Sequence, residues 1–360
     1  MWRCKRLEVK SRQTIPAFLK SRKALVADIW LLATIKGRSC LSCPLKSPFN
    51  QPYFNRRNVL ADQYDLEYTY TLIDKIFRFS IGETADFSGA MYNRDFSISL
   101  EEAQRRKHEF IAESLNIKEG SRVLDMGCGW GPFLKFIKGK GAEGIGVTLS
   151  AAQVKACRLN GLDVRHMDCR TIKPETFGIF DAIVSIGAFE HHCSKEEWKA
   201  GKQDEIYNNY FKVVFDLLHG GKRFFLQTMT FGKNMIDADE ININAEKGSD
   251  EHICALVQEV YPGSWLPYGK EQIIENANPF FKVISINNGR LDYIETLKQW
   301  GKRWRAFGLK KYLFYISLIP EYLTNKEFRK RLDVTGTAPH LICFEREIID
   351  HYRIVFERVT

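Results

Sequence analysis

Asp125-Met126-Gly127-Cys128-Gly129-Trp130-Gly131 is the stretch of this sequence best suited to chemistry. Val123, Leu124 and Asp125 read as the end of a buried strand, and a helix is expected to begin near Pro132. Glycines suit such a turn because a Cβ would hold a ligand off the backbone, and several of the positions call for φ > 0. The helix start offers unsatisfied N–H groups and a partial positive charge. About twenty residues later a second strand, Gly144 to Thr148, ends on a polar residue, with Ser150 and Gln153 just beyond. A strand, glycine turn, helix and second strand bind a nucleotide-like cofactor at the carboxyl edge of a sheet. The glycines alternate after an acid, so they do not form the G-x-G-x-x-G of dinucleotide binders. No G-K-[ST] ending follows, which sets aside a phosphate-binding P-loop.

Those residues require a sheet with helices on its faces, and strand and helix signals alternate from about residue 121 to residue 230. Candidate strands are Val123–Asp125, Gly144–Thr148, Asp163–His166, Ala182–Ile186 and Phe224–Thr228. Leu100 to Leu115 reads as a helix capped by Ser99, with Glu102 completing a capping box. Residues 193–209 read as a polar insertion, and residues 231–275 carry no clear periodicity. Leu291 to Leu318 reads as one long helical stretch, in which Trp300, Trp304, Phe307, Tyr312, Phe314 and Tyr315 interleave with Lys302, Arg303, Arg305, Lys310 and Lys311. Aromatic residues at helical spacing usually form core; the competing reading is a lid over an apolar tunnel or a patch that touches lipid headgroups.

Charge is uneven along the chain. The first 60 residues hold 13 Lys and Arg against Glu8 and Asp28, whereas the whole chain has a net charge of only +9. The body is therefore nearly neutral, which argues against a nucleic-acid-binding catalytic surface. The apolar run from Ala24 to Ile35 is too short to span a bilayer, which takes about 20 residues. The basic segment reads as a transit-like peptide, a membrane-surface helix or a disordered extension. Scattered cysteines favour a reducing compartment, cytoplasmic or organellar rather than secreted. Cys40 and Cys43 lack the partners of a zinc site, and adjacent His191 and His192 rarely face one ion, so no metal is expected.

The alternating glycine motif resembles motif I of class I S-adenosylmethionine methyltransferases. Further matches narrow the resemblance: Gln63-Tyr64-Asp65, Phe87-Ser88-Gly89, Leu100 to Gln104, Gly146 to Ser150, Phe189-Glu190-His191, Tyr210-Phe211, Tyr261-Pro262-Gly263 and Asp292-Tyr293. Together they resemble the cyclopropane-fatty-acyl-phospholipid synthases and mycolic-acid methyltransferases, over roughly residues 58–345. The resemblance implies an α/β fold, a doubly wound and mostly parallel seven-stranded Rossmann-like sheet with a helical, aromatic cap over the substrate site. It implies four regions: a basic extension over 1–57, a helical cap segment over 58–120, a cofactor-binding core over 121–230, and the rest of the sheet with a cap insertion over 231–360.

S-adenosylmethionine is the implied cofactor, with Phe87, Ser88, Asp125, Gly127, Cys128, Gly129, Gly131, Thr148, Ser150, Gln153, Asp168 and Arg170 expected around it. Asp125 is expected beneath the loop, fixing turn amides or the cofactor's ammonium. The implied reaction is methylation of an alkene carbon in a lipid chain, after which a base removes a proton. In cyclopropane-forming members that base is a bicarbonate held by a Cys, a Glu, a His and a Tyr. Glu190 and Tyr293 match two of these, while Gly89 and Gln227 stand at the Cys and His positions, which weakens the case for bound bicarbonate. Glu190 also admits a plainer reading as an acid beside the cofactor's amino group. The competing functions are an N- or O-methyltransferase of a small molecule and a non-catalytic cofactor-binding homologue. The expected partner is a lipid or apolar substrate. Peripheral membrane contact is expected through the basic N-terminus and residues 298–315, and the oligomeric state stays open.

Overall fold

The computed structural model describes Ile81 and residues 85–261, 263–326, 328, 329 and 338–359. The basic extension, the Gln63-Tyr64-Asp65 match, Cys40, Cys43 and Pro262 lie outside the described residues. Contacts divide the chain into two units: Phe307–Arg329 belongs to one, and Arg56–Ala306 with Lys330–Thr360 forms the other.

In chain order the larger unit contains α1 (Leu100–Ser114), β1 (Arg122–Met126), α2 (Pro132–Lys138), β2 (Glu143–Thr148), α3 (Ala151–Leu159), β3 (Asp163–His166), α4 (Pro174–Phe177) and β4 (Phe180–Ile186). It continues with α5 (Lys195–Lys199), α6 (Gln203–Leu217), β5 (Leu218–Phe231), α7 (Asp250–Val260), α8 (Gly269–Ala277), β6 (Phe281–Asn288) and α9 (Arg290–Arg305). The smaller unit carries α10 (Leu309–Thr324); α11 (Ala338–Glu345) and β7 (Ile349–Arg358) return to the larger one.

The seven strands run in the order β3-β2-β1-β4-β5-β7-β6. The first five pair in parallel, and β7 is antiparallel to both β5 and β6. The expected doubly wound, mostly parallel sheet is present, and its order reverses between β1 and β4, where ligands sit in such folds. Central strands need apolar side chains on both faces. β1 meets this with Val123, Leu124 and Met126 at 0% exposure, and β4 with Ala182, Ile183 and Val184. An aromatic cluster of Phe211, Phe224, Phe281 and Phe356 fills one face of the β4–β5–β7–β6 half.

Local details depart from expectation in informative ways. Ser99 caps α1 by accepting the Glu102 N–H at 3.1 Å, but the Glu102 carboxylate turns to Arg105 and Arg106, so the box is half made. A complete capping box forms instead at Ser194 and Glu197, opening α5 inside the stretch read as a polar insertion. Residues 231–275 hold the helix α7, capped by Ser249. The long aromatic stretch breaks into α9 and α10 around extended Gly308. Trp300 of α9 is core, stacked on Phe87 with centroids 5.0 Å apart, whereas Phe307, in the smaller unit, is 83% exposed. Among the described residues no helix is long and apolar enough to cross a membrane.

Candidate functional site

A cleft opens at the carboxyl ends of β1, β2 and β4. Its walls include Phe87, Ser88, Asp125, Gly127, Cys128, Gly129, Thr148, Ser150, Gln153, Asp168 and Arg170. Of the residues expected around a cofactor, Gly131 alone is not part of this wall. It caps α2 at φ 72°, and a Cβ there would lie 2.7 Å from Leu162 Cδ1. Gly127, at φ 89°, turns the chain out of β1, and a Cβ on it would lie 2.3 Å from Ala188 Cβ. The loop does not present a ring of free amides. Gly127 and Cys128 both donate to Val147 O at 3.0 Å, and Pro132 leaves the first helical position without an N–H. The glycines therefore provide close approach more than hydrogen bonding.

After β2, Ser150 caps α3, and Thr148 Oγ1 donates to Gln153 Oε1 at 2.6 Å, fixing the floor of the cleft. Beyond β3, Asp168 caps a short turn and chelates the Arg170 guanidinium at 2.6–3.1 Å, so the pair presents as one unit. Among the described residues no turn amide is seen to donate to Asp125. Its Oδ1 is buried with no hydrogen-bond partner among the described residues, and burial, aided by the charge of Asp86, pushes the carboxyl up to about 8. A buried, unpartnered carboxyl suits a cationic ligand group, because leaving it unpaired carries a desolvation cost.

Asp86, Lys107 and His108 were not anticipated. Lys107 Nζ, wholly buried, donates to Asp86 Oδ2 at 2.8 Å and Ser88 Oγ at 2.6 Å; His108 Nε2 lies 2.8 Å from the same carboxylate. Ser88 Oγ donates back to Asp86 Oδ1 at 2.6 Å. Burial opposes ionisation of Asp86, but Lys107 and His108 outweigh it and hold the carboxyl well below the usual range. The network pins the 86–88 segment, with Gln104 Nε2 donating to Ser88 O at 2.9 Å. A signal was available: Leu100, Ala103, Gln104, Lys107, His108 and Ile111 form one helical stripe, and all are buried. Polar residues on an apolar stripe need buried partners.

The four residues assigned to chemistry differ in what holds each of them. Glu190, in the turn after β4, is 3% exposed. Its Oε1 accepts the Met229 N–H at 2.9 Å; Oε2 has no hydrogen bond of normal geometry among the described residues, and the polar side chain that bears on the carboxyl is the Thr228 hydroxyl, which donates to Met229 O. Burial pushes this carboxyl up to about 7. Gly89, Gln227 and Tyr293 meet beside β5, where Gln227 shares a strand face with Met229 and Phe231 and Tyr293 packs in the same apolar cluster as Met229. A Cβ on Gly89 would sit 3.1 Å from Tyr293 Cγ and 3.3 Å from His351 Cε1, so the missing side chain makes room for two rings. Gln227 is a brace: Nε2 donates to Gly89 O at 3.1 Å, and Oε1 accepts from Arg353 Nε at 3.2 Å. Arg353 is itself spent on Asp292, Asn287 and Ala90 O. Gly89 offers no side chain and Gln227 is taken up by Gly89 O and Arg353, so the residues at these two positions do not fit a bound bicarbonate.

Glu190 also borders a second, apolar cavity lined by Met229, Phe231, Val257, Trp265, Leu266 and Ile349. The adjacent histidines diverge. His191 Nδ1 pairs with Ser264 Oγ at 2.7 Å, and His192 lies against Ala188 O and Cys169 Sγ.

Comparison with known proteins identifies the family and the fold. The family model described as mycolic acid cyclopropane synthetase matches residues 58–311. Cyclopropane mycolic acid synthase 2 of Mycobacterium leprae is 29% identical over 246 residues, covering 66% of this chain and 78% of that protein. The cyclopropane-fatty-acyl-phospholipid synthase of Escherichia coli is 33% identical over 213 residues, 58% of this chain but only 48% of the enzyme. The crystal structure of a mycolic acid cyclopropane synthase complexed with SAH and CTAB superposes with a TM-score of 0.65 at 22% identity, covering 82% of this chain and 98% of that one. At that identity the superposition speaks for the fold. The family match spans the glycine loop, the Glu190 turn and Tyr293 and takes in more than half of the sequence, so the chain belongs to the mycolic acid cyclopropane synthetase family of S-adenosylmethionine-dependent methyltransferases.

Proposed function

We propose that this enzyme methylates a carbon of a double bond in an unsaturated acyl-type chain that lies in the apolar cavity beside Glu190. The observation that carries the reading is Glu190 itself: a buried carboxyl with one free oxygen, at the edge of an apolar cavity that adjoins the cofactor cleft. S-adenosylmethionine, when bound, supplies an electrophilic methyl on a sulfonium. Asp125 would hold the cationic end of that cofactor, and Thr148, Gln153 and the Asp168–Arg170 unit would hold its nucleoside end. Each acyl CH₂ buried in the cavity contributes about 0.8 kcal/mol. The apolar walls exclude water, so positive charge arising on the acyl chain is met by Glu190 and by the faces of Tyr261 and Trp265. Glu190 then accepts a proton on the free Oε2, while the Met229 N–H keeps Oε1 in place. Because Gln227 is braced and Gly89 filled by neighbouring rings, Glu190 rather than a held anion is assigned as the base. Tyr293, packed on His351 and Phe344, orients the wall behind it. Exposed Phe307 and Leu309 beside Lys310 support peripheral contact of that segment with a lipid surface.

The test is expression in a bacterium rich in monounsaturated lipids, fed methionine with a deuterated methyl, followed by mass spectrometry of its fatty acids. An acyl chain gaining one carbon with three deuteria supports methylation with the proton lost from the chain. Two deuteria would point to a cyclopropane or exocyclic methylene and would move the base to the methyl side. No labelled acyl chain, from soluble protein that binds the cofactor, would refute the acyl reading.

A further inference from the structure

His191 and Ser264 are distinctive in position: both line the cofactor cleft, and both line the apolar cavity. Their side chains meet at 2.7 Å between Nδ1 and Oγ, where the two spaces adjoin. Neither is free to drift. His191 follows Glu190 in the short turn after β4. Ser264 pairs with Ser194 across an isolated bridge, flanked by Lys195 N–H to Gly263 O at 3.0 Å and Trp265 N–H to Cys193 O at 2.9 Å. The His191 ring leans on Tyr261 at 5.5 Å, and Tyr261 meets His340 edge-on at 5.5 Å. Burial, with His192 adjacent, pushes the His191 imidazole down to about 4. A neutral ring fits this place, because an imidazolium facing a cationic cofactor would repel it.

We propose that the His191–Ser264 pair is the partition across which the methyl group passes, and that His191 touches both donor and acceptor and fixes which carbon of the acyl chain stands at the transfer point. The inference rests on the acyl reading above. Its physical basis is orientation: a displacement of about 1 Å between reacting groups costs roughly 100-fold in rate, and an alkene in an apolar cavity has no polar handle of its own to fix its position. A ring clamped from one side by a serine and backed by two aromatic rings provides that stop. Ser264 acts through His191 and is a positioning residue.

The experiment compares wild type with His191→Leu, His191→Asn and Ser264→Ala. Cofactor affinity is measured by calorimetry, oleate binding by tryptophan fluorescence, and kcat, KM and methylation position on unsaturated phospholipid vesicles by mass spectrometry. Thermal melting verifies folding. His191→Leu should keep cofactor affinity within about threefold and lose roughly 100-fold in kcat. Ser264→Ala should spread methylation over neighbouring carbons. Asn, whose side-chain amide can reach where Nδ1 sits, should restore part of the rate and the single position. Wild-type kcat and wild-type position in the Leu and Ala variants would overturn the partition. So would a loss of cofactor affinity in His191→Leu as large as its loss of rate, which would confine His191 to the cofactor cleft. A wild-type enzyme that binds cofactor yet methylates no lipid would overturn the acyl reading, and the partition with it.

Discussion

Replacing Glu190 by Gln removes one charge and keeps almost everything else, including an oxygen to accept the Met229 N–H at 2.9 Å. The carboxyl sits at about 7 against an ordinary 4.5, with burial as the leading cause. An acid whose folded value is raised binds its proton more tightly in the folded state. Its relative contribution to stability is fully present below about pH 4.5, falls as pH rises through the interval to about 7, and is lost above it. At about 1.4 kcal/mol per unit, the ionised carboxylate costs the fold on the order of 3 kcal/mol at pH 8. Glu190→Gln should therefore match wild type in urea unfolding at pH 4 and exceed it by up to about 3 kcal/mol at pH 8. Activity should move the opposite way. Loss of a positioned base costs roughly 10² to 10⁴ in rate, and the wild-type rate should climb with pH through an apparent value near 7. A Gln variant that turns over normally, or that is less stable than wild type at pH 8, would refute the assignment of a strained, functional carboxyl.

Asp125, held near 8 without a ligand, should ionise when a cationic cofactor group arrives, so cofactor affinity should rise with pH up to about 8 and then level off. Calorimetry in buffers of different ionisation heat should detect the released proton in wild type and not in Asp125→Asn. Gly89→Ala would press a Cβ to 3.1 Å from Tyr293 and 3.3 Å from His351, and should cost about 1–3 kcal/mol of stability with a fall in methyl transfer. Unaltered stability and rate would show that the two rings can yield there.

The amino-acid sequence by itself determined the parallel half of the sheet and the outline of the cofactor cleft. Those features are local: Val123 to Gly131 must be a buried strand followed by a turn at φ > 0, and Ser150 caps the helix that carries Gln153 only three residues away. Glu190 was singled out by resemblance, because a single acid in a polar, aromatic segment carries no periodic signal of its own. β6 and β7 escaped notice because β7 reaches its antiparallel place between β5 and β6 from the far end of the chain, and its polar residues become buried only through that pairing. The continuous aromatic stretch from Leu291 to Leu318 concealed a break, since helical spacing persists across Gly308 while the backbone extends. Lys107 and His108 were legible as polar residues on a buried stripe, but Asp86, their partner about twenty residues away, was not.

What Gly89 and Gln227 mean was decided only by tertiary structure. In sequence they read as a lost thiol and a lost imidazole. In three dimensions Gly89 is the space that Tyr293 and His351 require, and Gln227 is a brace between Gly89 and Arg353, contacts that separate 138 and 126 positions of the chain. The shared wall of His191 and Ser264 is likewise invisible until the fold closes. Backbone turns and caps are set by residues a few positions apart, whereas burial, carboxyl ionisation and the border between two cavities depend on what the folded chain packs around each group.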